Sequence, residues 1–109
     1  MDLPSNIPRH FAARLVEVGR ERIERCDRDV ESDDPFAWTR LAGQLHAFAG
    51  EASLMGLVEL GDLARVTELQ ARAEAARAAI TDEARASLRE KMRAIRASID
   101  ALAAITERA

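Results

Sequence analysis

The sequence predicts an all-α fold, an antiparallel up-down-up-down bundle of four helices. Three observations lead there. Apolar residues recur at intervals of three and four along four successive stretches, the spacing of one helix face. All three prolines, Pro4, Pro8 and Pro35, lie in the first third, and the 48 residues after Gly61 hold neither Pro nor Gly, so the breakers a sheet would need at its turns are missing. Alanine supplies 22 of the 109 residues against three Phe, one Trp and no Tyr, which suits close-packed helices and leaves few aromatics for strands. The length fits one domain, residues 1–109.

The first helix is expected from about Arg9 to Val30, where Phe11, Leu15, Val18, Ile23, Cys26 and Val30 form a stripe with charges between them. A short extra helical turn around Leu3 to Pro8 is expected ahead of it. Asp34 before Pro35 is a start signal for the second helix, because proline at the first helical position gives up no hydrogen bond. Trp38, Leu41, Leu45, Phe48, Ala52 and Met55 carry that helix to about Met55, and Gly56 is its natural stop. A third helix from about Leu57 to Ala79 has a weaker pattern, with Leu60, Leu63, Val66 or Thr67, and Gln70 leading into the alanine-rich run from Ala71 to Ala79. Thr81 followed by Asp82 and Glu83 reads as an N-cap with acidic first-turn residues. Leu88, Met92, Ile95, Ile99, Leu102 and Ile105 or Thr106 then give the cleanest stripe, for a long fourth helix.

Sixteen Lys plus Arg against 19 Asp plus Glu, with the signs interspersed, leave no basic stripe for nucleic acid and no cationic face for anionic lipid. No apolar run approaches the roughly 20 residues a bilayer span requires, and Met1 to Arg9 has no hydrophobic stretch like that of a signal peptide. A single cysteine, Cys26, cannot staple the fold, so a cytoplasmic location is expected. Cys26 sits on the apolar stripe of the first helix and reads as an inert core thiol. His10 and His46 have no acidic or cysteine partner at metal-ligand spacing, which argues against a zinc or haem site. The charges of the fourth helix, Arg85, Arg89, Glu90, Lys91, Arg93 and Arg96, read as a solvated face.

At about 100° per residue, His46 falls about 130° from the centre of the second helix's apolar stripe, on the solvent side. A lone histidine on a helix surface is usually an ordinary surface residue. The neighbours of this one on its own face are Thr39, Gly43, Gly50 and Ser53, all small. Each glycine costs helix stability of about 1 kcal/mol relative to alanine. A cleared surface lets a partner bring a reactive group to a ring nitrogen; close helix–helix approach is the other use of such glycines.

The stretch Leu45-His46-Ala47-Phe48-Ala49-Gly50-Glu51-Ala52-Ser53-Leu54-Met55-Gly56-Leu57-Val58-Glu59-Leu60 resembles the signature of histidine-containing phosphotransfer (HPt) domains of multistep phosphorelays. That signature sets a hydrophobic residue two after the histidine, glycine at four, a small residue at six, glycine at ten and leucine at fourteen. Phe48, Gly50, Ala52, Gly56 and Leu60 stand at those places. The resemblance implies a four-helix bundle whose exposed His46 accepts a phosphoryl group from the aspartyl phosphate of one response-regulator receiver domain, or from a kinase, and passes it to another receiver. It implies receiver domains and a hybrid sensor kinase as partners, and a docking surface of Thr39, Gly43, Gly50, Ser53 and Leu57 around His46. No cofactor of its own is implied; magnesium and the acidic pocket would belong to the receiver, making the protein a phosphotransfer intermediate rather than a conventional enzyme. The signature commonly has lysine three residues after the histidine, and Ala49 stands there. Either another cation supplies the charge, Arg40 or one from a neighbouring helix, or the domain docks a receiver or kinase without phosphotransfer. A purely structural bundle dimerising through an alanine-rich helix is a third reading.

Overall fold

A computed structural model of the chain describes residues 7–77 and 79–107. Four helices run in sequence, α1 (Arg9–Val30), α2 (Pro35–Leu54), α3 (Val58–Ala75) and α4 (Asp82–Thr106). The expected turn between Leu3 and Pro8 falls almost entirely outside the described residues. Each helix touches its two neighbours around a ring, α1 with α2 and α4, and α3 with α2 and α4. Cross-helix partners descend in number on one helix as they rise on the other. Gly19 faces Phe48 while Cys26 bonds Leu41 across α1 and α2, and Arg20 pairs with Asp100 while Glu31 pairs with Arg89 across α1 and α4. Neighbours are therefore antiparallel, as the short connections require.

The helix boundaries follow local chemistry. The Asp34 side chain accepts from the Phe36 amide at 3.0 Å with Pro35 at the first helical position. The Thr81 hydroxyl accepts from the Ala84 amide at 3.1 Å, with Asp82 and Glu83 against the positive end of the helix dipole. Gly56 takes φ of 75°, a left-handed conformation that glycine alone adopts without strain. Around it the Gly56 amide donates to Ser53 O and the Leu57 amide to Ala52 O, each at 3.0 Å, the double bond of a Schellman stop.

The core is one cluster running the length of the bundle, with Trp38, Leu41, Leu45 and Phe48 of α2 at its centre and Leu88, Met92, Ile95, Ile99 and Leu102 of α4 against them. Cys26 is fully buried, as its place on the stripe requires, and burial pushes its thiol up to about 12. Two expectations are corrected. Phe11 lies half-exposed, and Ala12, Val16 and Gly19 take the buried positions on α1. α3 ends at Ala75 rather than near Ala79, since the antiparallel return to the Thr81 cap needs the residues between. Of the two alternatives for the α3 stripe, Thr67 is the buried one, its hydroxyl donating to Leu63 O at 2.7 Å, while Val66 is exposed.

The charges of α4 do more than face solvent. Arg89 pairs with Glu31 and Arg96 with Asp27, bridging α4 to α1. Arg85 is half-buried, lies 5.9 Å over the Trp38 ring, and donates to the carbonyls of Val30 and Ser32. It thereby satisfies carbonyls that the end of α1 leaves open.

Candidate functional site

α2 and α3 make the most extensive contact in the bundle, and the site lies along their seam. The seam is close because α3 presents a glycine there. A Cβ built on Gly61 would lie 2.6 Å from Ser53 Oγ and 3.3 Å from the Ala49 carbonyl, so a side chain there would require the serine hydroxyl to rotate and the α2 backbone to give by a few tenths of an ångström. Ala49 is consequently a seam residue, 7% exposed, packed where α3 crosses. Gly19 has the same role elsewhere, admitting the Phe48 ring at 2.8 Å from its notional Cβ.

Gly43 and Gly50 are different. A Cβ at either would meet nothing within 4 Å. Close helix approach therefore does not explain them; they leave open surface on both sides of His46. Thr39 and Ser53 are also exposed on this face, the Thr39 hydroxyl donating back to Pro35 O at 3.3 Å.

Leu57 does not belong to that surface. It is 5% exposed, because it follows the left-handed Gly56 and the Schellman turn folds it back toward Ala52, as an apolar residue at this position usually does. Its neighbours Leu54 and Val58 are the large apolar side chains left exposed at this end of the seam.

The His46 side chain is 65% exposed, yet its ring is held. Nδ1 lies 3.2 Å from Glu68 Oε1 and 3.1 Å from Oε2, across the seam. The Glu68 side chain is 6% exposed, and the same Oε2 accepts from Arg72 Nε at 3.0 Å, one turn further along α3. Burial works to raise the Glu68 pKa, but the hydrogen bonds from Arg72 and then His46 outweigh it, and the carboxyl titrates below its ordinary range. Glu68 is thus a carboxylate near neutral pH and can only accept. Nδ1 is therefore the nitrogen that donates, and Nε2 is the one without a hydrogen-bond partner among the described residues; in the neutral ring it is Nε2 that carries the lone pair.

Neither Glu68 nor Arg72 emerged from the sequence pattern. A signal was present: Gly61, Ala64, Glu68 and Ala71 are spaced three, four and three apart, which puts a carboxylate inside a stripe of small residues with an arginine four later. Arg40, the cation closest in sequence, turns to α1 and pairs with Asp29 at 3.3 Å. Gln44 likewise faces α1, accepting from Arg22, whose guanidinium also holds Glu51. Among the described residues no cluster of three or more His, Cys, Asp or Glu is placed to hold a metal, and no helix is long and apolar enough to cross a membrane.

Comparison with curated proteins and with solved structures gives no match. The family model described as Hpt domain matches residues 10–105, nearly the whole chain and all of the helical bundle up to the last turn of α4. On that match the chain belongs to the Hpt domain family, whose members carry out histidine phosphotransfer in phosphorelay signalling.

Proposed function

We propose that this protein takes a phosphoryl group onto Nε2 of His46 from the aspartyl phosphate of a receiver domain, or from a hybrid sensor kinase, and passes it to a second receiver domain in the cytoplasm. The observation that carries the reading is the His46–Glu68 contact beneath a glycine-cleared surface. With the proton fixed on Nδ1, the Nε2 lone pair attacks phosphorus and the aspartyl carboxylate leaves with the electrons of the broken P–O bond. The ring gains the positive charge of a phosphorylated imidazolium. No proton has to leave in that step, because Nδ1–H stays against the Glu68 carboxylate, which stabilises the new charge. Transfer to the next receiver is the reverse, with a second aspartate as the nucleophile. Magnesium and the acidic pocket would come from the receiver, so the part of this chain is to present and polarise one nitrogen.

The surface around His46 fits a protein partner better than a small molecule. Gly43, Gly50, Thr39 and Ser53 form a low shelf, with Leu54 and Val58 as apolar contacts at one end. A second reading, a docking module without transfer, draws on Ala49 in place of the usual lysine.

The test is incubation with a phosphorylated receiver. An acid-labile label on the protein, absent from His46→Gln, supports transfer. Receiver binding that is unchanged in His46→Ala, with no label on the intact protein, would establish the docking module instead.

A further inference from the structure

We propose that Arg65, on α3, is the cation that meets the phosphoryl group on His46. This rests on the reading of His46 as the acceptor.

A phosphoryl group adds close to two negative charges, and here it would arrive on a ring already in contact with the Glu68 carboxylate. A second anion beside the first needs a cation within reach. Arg72 is committed to Glu68, on the Nδ1 side of the ring. Arg40 is turned away to Asp29, and Arg22 to Glu51 and Gln44.

Arg65 is exposed and has no ion-pair or hydrogen-bond partner among the described residues. The seam fixes its position. His46 is level with Glu68, and Ser53 with Gly61, so Arg65 is level with Ala49 and Gly50. It stands three residues before Glu68, about 4.5 Å along the axis and about 60° around it, on the outer side of the seam. Gly50, one turn beyond His46 and level with Arg65, leaves open ground there, since a Cβ at Gly50 would meet nothing within 4 Å. α2 cannot easily provide the charge itself, because Ala49 is packed under α3. A guanidinium reaching over the shelf from α3 reproduces, from the opposite helix, a cation one turn beyond His46. Its planar fork suits phosphoryl oxygens.

The experiment uses the full chain and two donors, a phosphorylated receiver and phosphoramidate, the second reporting on the site without receiver docking. Arg65→Gln should slow phosphorylation by both donors on the order of tenfold and shift the receiver equilibrium away from His46 by a similar factor. Arg65→Lys should stay within a few-fold of wild type, and the thermal midpoint of both variants should be unchanged. Arg65→Gln within twofold of wild type for both donors overturns the proposal, as does Arg65→Lys falling as far as Arg65→Gln. A loss seen instead in Arg40→Gln, with Arg65→Gln unaffected, assigns the cation to α2 and overturns it too. If wild type takes a phosphoryl group from neither donor, the reading of His46 itself fails, which is seen without any Arg65 variant.

Discussion

Glu68 reaches across the α2–α3 seam to within 3.1 Å of His46 Nδ1, and the oxygen that does so also holds Arg72 at 3.0 Å. A buried carboxylate fixed by one cation thereby fixes the proton of an exposed imidazole. The tautomer that leaves Nε2 free should therefore depend on Glu68. In Glu68→Ala, nitrogen-15 shifts of His46 should move from the Nδ1–H form toward a mixture, and phosphotransfer should fall on the order of tenfold as the charge on the ring loses its stabilising partner. Unchanged nitrogen shifts would show that the contact does not set the tautomer.

The depressed pKa of Glu68 has a consequence for stability. Its folded value lies below its unfolded one, so its contribution is fully present above the ordinary glutamate value of about 4.3 and is lost as pH falls through the lower folded value. Urea unfolding of wild type and Glu68→Gln should show a gap in stability at neutral pH that narrows below about pH 4. A gap that is constant or widens in acid would contradict this.

The glycines of the helices should respond to alanine with opposite signs. Gly43→Ala and Gly50→Ala meet nothing, so each should gain about 1 kcal/mol of helix propensity, raising the thermal midpoint by about 4–8 °C. Gly19→Ala and Gly61→Ala put a methyl against the Phe48 ring and against the Ala49 carbonyl and Ser53, and each should cost about 1–3 kcal/mol. Larger residues at Gly50 should leave folding intact and block the receiver. Thermal melts of the four alanine variants decide the matter, and a shared sign would refute the division.

Leu57 and Leu54 should separate stability from docking. Leu57→Ala removes a buried side chain at the Schellman turn and should cost about 2–4 kcal/mol. Leu54→Ser, at a side chain 90% exposed, should change stability by less than about 0.5 kcal/mol and weaken receiver binding. Denaturant titration and a binding isotherm on the two variants measure both effects.

What could be read in the sequence follows from what is local. The helices, the Asp34 and Thr81 caps and the Gly56 stop depend on neighbours within a turn, and α1, α2 and α4 lie where their stripes predicted. The exposure of His46 and the openness around it were also written along a single helix, in Gly43 and Gly50. Glu68, Arg72 and Arg65 were not, because their relation to His46 is set by the register of α3 on α2, and the weak stripe of α3 did not define it. Gly61 seats at that register on the Ala49 carbonyl and on the Ser53 hydroxyl and amide, contacts with polar and backbone atoms that leave no apolar period to read. Leu57, which the resemblance put in the docking surface, is buried for a similar reason: the turn after Gly56 folds it back toward Ala52.

The most direct measurement of the central claim is the site of phosphorylation on the nitrogen-15-labelled protein after reaction with a phosphorylated receiver, read by phosphorus–nitrogen coupling. The expected result is one phosphoryl group, on Nε2 of His46, with the proton still on Nδ1. A phosphoryl group on Nδ1 or on any other residue, or none in the presence of a competent receiver, would contradict it.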